Sequence, residues 1–303
     1  MVLALVLGAL GAVDAPAERI AQNESARRGK ALFARSCAAC HGRSGKGDGP
    51  GARDLDPAPR DLTSTYYRFR STPSGSPPRP EDLKRTIRRG LPGSAMPGFG
   101  ELFSEEQLDD LTHFLGGLHG AAVPEGLVLP AVGPVTEEGV REGRAVYVLM
   151  GCWSCHGTDG AGRGPAARGL TDEKSRPIRA TNLRHDPMKG GRDPASVVRT
   201  LLTGLNGTPM PAYGEAMLFA REEVQDLATL EGVLHPEEIA SITEYARSTP
   251  SRAELEALGV AERDLLRDRR LAALAHYVLS LDRRSRTGFR LFGQEPEREA
   301  RRP

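Results

Sequence analysis

The chain has 303 residues, which is enough for two domains of ordinary size. A hydrophobic fraction of 39% and a mean hydropathy of −0.40 indicate a soluble protein. The net charge of +1 gives no reason to expect a nucleic acid as partner.

The chain begins with an apolar run from Met1 to Val13 that contains no charged side chain. The run is too short to span a bilayer, which needs about 20 residues. Its length is typical of a signal peptide, and Ala15-Pro16-Ala17 has the pattern of a cleavage site. We therefore expect residues 1–17 to be a signal peptide and the protein to be exported to the periplasm. Because no basic residue precedes the run, a true start further upstream and an N-terminal membrane anchor are the alternative.

Apolar residues at helical spacing predict a helix from Ser25 to Ser36, directly before the first cysteine. The run Cys37-Ala38-Ala39-Cys40-His41 that follows has the C-x-x-C-H pattern by which c-type haem is attached. Two thiols at this spacing can each form a thioether bond to one vinyl group of a porphyrin. His41 can then direct its imidazole at the iron as the first axial ligand.

Glycine and proline residues predict loops after this motif, as expected where a backbone packs close to a flat ring. Met96 is the candidate second axial ligand, because Pro97 stiffens a loop that can hold the soft thioether on the iron. Ser104 and Gln107 form a capping box, which predicts the start of a helix. An apolar stripe at helical spacing continues it, formed by Leu108, Leu111, Leu115 and Leu118.

The remainder of the chain repeats this pattern. We place the first domain at residues 18–120, a linker rich in Pro and Gly at 121–135, and the second domain at 136–285. The second motif is Cys152-Trp153-Ser154-Cys155-His156, and H-G-x-x-G-x-G-x-G-P begins at the histidine of both copies. Met210 occupies the place of Met96 in a second shared pattern, R-T-[I/L]-x-x-G-L-x-G-[S/T]-x-M-P. A repeat of about 115 residues indicates a duplicated domain and not a solenoid.

The two motifs use all four cysteines of the chain, which leaves no thiol for a disulfide or a cysteine nucleophile. A shared zinc centre is the rival interpretation, but Cys40 and Cys152 are too far apart for a zinc-ribbon loop. A thioredoxin-like pair would need a βαβ setting, and we find no convincing strand pattern.

The second copy contains an insertion after Met210. Residues 221–268 carry 12 acidic and 5 basic residues, and we interpret them as extra helices. The terminal helix of this copy carries either Tyr245 or Tyr277, and we favour Tyr277 because Arg270 to Leu281 is the stronger apolar helix. The Arg- and Glu-rich residues 286–303 predict a disordered tail.

The remaining histidines have no partner in the other copy. We expect surface or helix-packing roles for four of them: His113, His119, His235 and His276. His185 lies between the second motif and Met210, so it is the one alternative candidate for a ligand or gating role.

These residues resemble those of the di-haem class I c-type cytochromes, which have two cytochrome c domains in tandem. The resemblance includes Gly29-x-x-x-Phe33 and Gly143-x-x-x-Tyr147, which in that family let the first helix of a domain cross its last helix closely. It implies an all-α fold with each domain wrapped around one covalently bound haem. Attachment is then expected at Cys37, Cys40, Cys152 and Cys155, and iron ligation by His41, Met96, His156 and Met210.

Ligation by His and Met fills both axial positions, so it predicts an electron-transfer protein and not an enzyme. We expect single electrons to pass from a respiratory dehydrogenase or quinol-oxidising complex to an acceptor such as an oxidase. The expected partners are therefore redox proteins, a membrane-bound respiratory complex among them. A di-haem peroxidase or thiosulfate-oxidising enzyme is the alternative, and it would depend on His185 or a labile Met. A subunit of a larger oxidoreductase complex is a third possibility, with the acidic insertion as its interaction module.

Overall fold

The computed structural model describes residues 16–224 and 227–282. The predicted signal peptide falls almost wholly, and the predicted tail wholly, outside these residues. Ten α-helices and four short 3₁₀ turns occur in the described part, which has isolated bridges but no strand. The prediction of an all-α fold is therefore confirmed. The helices are α1 (Pro16–Ser36), α2 (Ala38–His41), α3 (Pro80–Arg89), α4 (Glu105–His119), α5 (Glu137–Leu149), α6 (Trp153–His156), α7 (Pro194–Thr203), α8 (Pro236–Ser248), α9 (Arg252–Ala257) and α10 (Val260–Ser280).

The first domain is built on the crossing of α1 and α4. Gly29 lies at the contact, where a Cβ would overlap the backbone carbonyl of Asp110 and touch Phe114. The rings of Phe33 and Phe114 pack beside it, with centroids 5.2 Å apart. Glycine therefore lets the two backbones approach, and the aromatic pair fills the space next to the crossing.

The second domain repeats this arrangement with α5 and α10. A Cβ at Gly143 would overlap the carbonyl of Ala273 and touch the Cβ of Tyr277, and the rings of Tyr147 and Tyr277 lie 5.0 Å apart. Tyr277 therefore marks the terminal helix, as we predicted. Tyr245 lies on α8 instead, where its hydroxyl donates to a carboxylate oxygen of Glu142 at 3.2 Å.

The described residues of the insertion form two 3₁₀ turns, α8 and α9. It is joined to the domain core by the ion pair between Arg144 on α5 and Glu238 on α8. The terminal helix begins at Val260 and not near Arg270, because its first turns are polar and carry no apolar pattern. They are helical nonetheless, with the Glu262 carboxylate accepting a hydrogen bond from the Gly259 amide at 2.8 Å.

The two domains meet through the segment 67–76 of the first and the end of α7 in the second. Three ion pairs between the domains support the contact: Arg60–Glu173, Asp61–Lys174 at 3.3 Å and Arg68–Asp172 at 3.9 Å. Asn206 accepts hydrogen bonds from the Ser74 hydroxyl at 3.3 Å and the Gly75 amide at 3.0 Å. The linker also touches the first domain, because the Leu127 amide donates to the Ser71 carbonyl at 2.6 Å.

Candidate haem centres

Each C-x-x-C-H motif forms one short helical turn. The amides of His41 and His156 both donate to the carbonyl of the first cysteine of their motif, at 2.9 Å. Gly42 and Gly157 end the turns with φ of +74° and +80°, a conformation that side-chain-bearing residues rarely adopt. The turn brings the two thiols to neighbouring positions on one side of the helix, as two thioether bonds to one ring require.

The two motif histidines are oriented in the same way. Nδ1 of His41 donates to the Arg60 carbonyl at 3.1 Å, and Nδ1 of His156 donates to the Thr181 carbonyl at 3.0 Å. A carbonyl only accepts, so Nδ1 carries the proton and Nε2 keeps its lone pair for a metal. Burial lowers the pKa of both rings, although the carbonyl hydrogen bonds oppose this shift. Both imidazoles are therefore held in the neutral form that binds iron.

The two methionines lie in loops with the same hydrogen bonds. The Met96 amide donates to the hydroxyl oxygen of Ser94 at 3.3 Å. The Met210 amide donates to the hydroxyl oxygen of Thr208, also at 3.3 Å. The carbonyl of Met96 accepts from the Leu91 amide at 3.0 Å, and Met210 repeats this contact with its own leucine at 3.1 Å. The backbone of each methionine is therefore fixed by the loop itself.

Both loops are also tied to the helix that precedes them. The Phe99 amide donates to the Ile87 carbonyl on α3 at 3.0 Å, and the Tyr213 amide donates to the Leu201 carbonyl on α7 at 2.8 Å. Gly90, with φ of +66°, lies so close to Pro97 that a Cβ there would overlap its backbone. The structure thus holds Met96 and Met210 at equivalent places in the two domains.

The side chains around these groups fit a large apolar ring. In the first domain a half-buried apolar set packs on the core: Cys37, Met96, Phe99, Phe103, Phe114 and Leu118. In the second domain a corresponding set includes Cys152, Trp153, Met188, Met210 and Tyr213. One imidazole nitrogen and one thioether sulfur per domain would supply the donor set that a six-coordinate haem iron needs.

Two buried nitrogen atoms of partly exposed arginine side chains provide a further test of fit. Nε of Arg68 and Nε of Arg199 are buried with no hydrogen-bond partner among the described residues. Buried N–H groups of this kind require an acceptor, and a haem brings two carboxylates. These two N–H groups are therefore of the kind that haem carboxylates would satisfy.

The cysteines do not support the rival chemistries. All four thiols lie in the described part of the chain and none is in a disulfide. Burial raises the pKa of Cys37 to about 11 and that of Cys152 to about 12, so these thiols stay protonated at neutral pH. Within residues 16–224 and 227–282, His, Cys, Asp and Glu form no group of three or more that could hold a metal ion. The raised thiol pKa values disfavour a thiolate nucleophile.

The other histidines lie away from this pattern. His185 is exposed, and its backbone amide donates to the Asn182 carbonyl at 3.3 Å. His113 contacts the Ser25 hydroxyl at 2.7 Å, and His276 is buried near the Gly133 carbonyl. The carbonyls of Arg60 and Thr181 are the functional groups that sequence reasoning missed. Their sequence signal is weak. Each residue is followed by Asp or Asn and then by Leu, as in Arg60-Asp61-Leu62 and Thr181-Asn182-Leu183.

The cytochrome c family model matches residues 26–119 and 140–250. The chain belongs to the cytochrome c family. It therefore binds two covalently attached c-type haems, one in each domain, and its role is electron transfer by a cytochrome.

Several known proteins are similar to this cytochrome. The cbb3-type cytochrome c oxidase subunit CcoP of Azospirillum sp. is 26% identical over 201 residues, which cover 62% of this chain and 56% of the relative. Subunit FixP of the same oxidase type from Azorhizobium caulinodans is 26% identical, covering 61% of this chain and 52% of FixP. The chain thus spans about half the length of the curated relatives it matches.

A solved structure is also similar, from the reducing HAO-like protein complex of Kuenenia stuttgartiensis. One of its chains is 30% identical, with a TM-score of 0.64, and the match covers 84% of this chain and 96% of that chain. In the described part of this cytochrome, no helix is both long and apolar enough to cross a membrane.

Proposed function

We propose that the protein relays single electrons through two His/Met-ligated haems, with His41 and Met96 on one iron and His156 and Met210 on the other. Cys37 and Cys40 attach the first haem, and Cys152 and Cys155 attach the second. The observation that carries this proposal is the equivalence of the two centres, down to the hydrogen bonds behind each histidine and around each methionine. Both axial positions of both irons are then occupied, which supports electron exchange and disfavours substrate binding.

The residues of each centre have separate roles in this relay. The haem accepts and releases the electron when bound. The Arg60 and Thr181 carbonyls hold the imidazole rings in one tautomer, and the stiff methionine loops keep the ligands in place in both oxidation states. A centre whose ligands do not move needs little reorganisation when the iron changes charge, which favours rapid transfer.

The ligand set is tested by the visible spectrum of the ferric protein, in which a weak far-red band reports sulfur on iron. We expect intensity for two Met-ligated haems, and half of it in Met96→His and in Met210→His. Met188→Leu is the matched control, since Met188 packs on the same core without a counterpart in the first copy. Full intensity in either ligand variant, or high-spin features that respond to carbon monoxide in the unmodified protein, would contradict the proposal.

The partners belong to the same proposal. The similar proteins are named as subunits of a cbb3-type oxidase and of an HAO-like complex, which supports a place beside another redox protein in a respiratory chain. We propose a periplasmic location with a dehydrogenase or quinol-oxidising complex as donor and an oxidase as acceptor. Cell fractionation and rates of reduction and oxidation with purified complexes test this, and a protein found in the cytoplasm would contradict it.

A further inference from the structure

Arg70 of the first domain is completely buried at the contact between the two domains. Its Nη2 donates to the Thr203 carbonyl at 2.6 Å, and its Nη1 donates to the Gly204 carbonyl at 3.4 Å. Within its own domain it donates to the carbonyls of Tyr67 and Pro73, each at 3.2 Å. One guanidinium group therefore joins the loop 67–73 to the end of α7 in the other domain.

This buried cation has an unusual set of partners. Among the described residues no carboxylate is in ion-pair contact with it. Its hydrogen bonds go to four carbonyl oxygens, and the buried Asp82 carboxylate acts on it only at longer range. Burial lowers the pKa of Arg70 to about 10, so the group still carries its charge at neutral pH. The carbonyls at the end of α7 make no backbone hydrogen bond within the helix and form the negative end of its dipole, which explains why the charge is tolerated there. The Gly204 carbonyl also accepts from the Thr203 hydroxyl at 3.2 Å.

The helix end that Arg70 holds is also the start of the Met210 loop. Gly204 ends α7, and the next residue, Leu205, donates its amide to the Met210 carbonyl at 3.1 Å. The two carbonyls bound by Arg70 thus directly precede the loop that carries the proposed axial ligand of the second haem. A residue of one domain therefore fixes a ligand loop of the other.

We propose that Arg70 is a positioning residue that acts across the domain interface on the Met210 loop and raises the reduction potential of the second haem. Ligation by methionine raises the potential, so a Met210 loop that Arg70 keeps in place holds the potential of the second haem high. The positive charge at the helix end where this loop begins acts in the same direction, because the ferrous form carries less positive charge than the ferric form. This inference rests on the proposed function, specifically on Met210 as a ligand.

The experiment compares three variants of the full haem-loaded chain by spectroelectrochemical titration of both haems. Arg70→Met removes the charge, and Arg70→Lys keeps it while losing the planar donor geometry. Arg141→Met is the matched control, because Arg141 lies on α5 of the second domain with 55% of its side chain exposed. The Met210→His variant assigns the second haem, since His in place of Met lowers the potential of that haem alone.

We expect Arg70→Met to lower the potential of the second haem and to leave the first haem and the Arg141→Met protein unchanged. Arg70→Lys should lower it less. Loss of half the far-red sulfur–iron band in Arg70→Met would equally support the positioning role. Asn206→Ala tests simple loosening of the interface, because it removes hydrogen bonds to Ser74 and Gly75 but no charge. The inference would be overturned if Asn206→Ala lowered the potential of the second haem as much as Arg70→Met does. It would also be overturned if Arg70→Met did not change this potential.

If Arg70→Met takes up no haem, the reduction potential of the second haem in Arg70→Lys tests the inference instead. A potential as low as that of Met210→His would then contradict a role for the charge. Failure of the proposed function looks different, because the unmodified protein would then lack the sulfur–iron band of the second haem. Amide hydrogen exchange at Gly204 and Leu205 gives a second readout, and faster exchange is expected in Arg70→Met.

Discussion

At the scale of single residues, the site depends on atoms that no motif describes. The C-x-x-C-H runs predict which side chains meet the haem, and the Met loops predict the second ligand. The carbonyls that orient His41 and His156 come from Arg60 and Thr181, which lie 19 and 25 residues away. Backbone groups leave no signature in the residue type, so only the folded chain reveals them.

The carboxylate of Asp172 provides a prediction of pH dependence. Burial would raise its pKa, but hydrogen bonds from the Arg176 side chain and from the amides of Lys174 and Arg176 prevail and lower it to about 2. Since the folded-state pKa lies below the ordinary value of 3.8, the stabilisation is present above pH 4 and is lost as the pH falls toward 2.

We therefore expect Asp172→Asn to lower the free energy of unfolding by about 1–2 kcal/mol at pH 7 and to have little effect near pH 2. Denaturant titrations of the haem-loaded protein at several pH values measure the difference. Asp54→Asn is the control, because Asp54 is exposed. A difference between Asp172→Asn and the unmodified protein that did not change with pH would contradict the assignment.

At the scale of the helices, close crossing is the feature that organises each domain. The glycine and aromatic pairs predict that α1 crosses α4 and that α5 crosses α10, and the structure confirms both crossings. The start of α10 could not be predicted, because its polar first turns carry no apolar stripe. Helix formation there depends on capping and on contacts of the insertion.

Two glycines of the first domain provide a matched test of the crossing. Gly29→Ala places a Cβ against the Asp110 carbonyl, so we expect a loss of about 1–3 kcal/mol in the free energy of unfolding. Gly116→Ala adds the same methyl group on α4, where no atom lies within 4 Å, and should stabilise the protein by up to about 1 kcal/mol. Denaturant unfolding measures both, and equal effects would rule out the crossing as the cause.

At the scale of the whole molecule, the two domains form a continuous contact through ion pairs, Asn206 and Arg70. A duplicated sequence predicts two similar domains. It does not predict which surfaces of the two domains contact each other, because no repeated pattern marks those surfaces. The residues that build this face differ between the copies. The contact matters for function, because the distance between two haems determines how fast electrons pass between them.

The double variant Glu173→Gln/Lys174→Gln breaks the ion pairs to Arg60 and Asp61 without changing the net charge. We expect a small loss of stability, about 1 kcal/mol or less for each pair, and larger dimensions in small-angle X-ray scattering. The variant Lys84→Gln/Asp109→Asn breaks an ion pair inside the first domain and should leave the dimensions unchanged. Identical scattering of all three proteins would show that these pairs do not hold the domains together.

The sequence by itself determined the cofactor, the duplication and the ligand candidates, because covalent attachment and axial ligation demand particular side chains at particular spacings. It also determined the helical class and the choice of Tyr277, since both depend on local pattern. Only the tertiary structure decided which carbonyls orient the histidines, where α10 begins and how Arg70 joins the domains. These features arise from backbone atoms and from contacts between residues far apart in the chain, and neither leaves a regular spacing that can be read in advance.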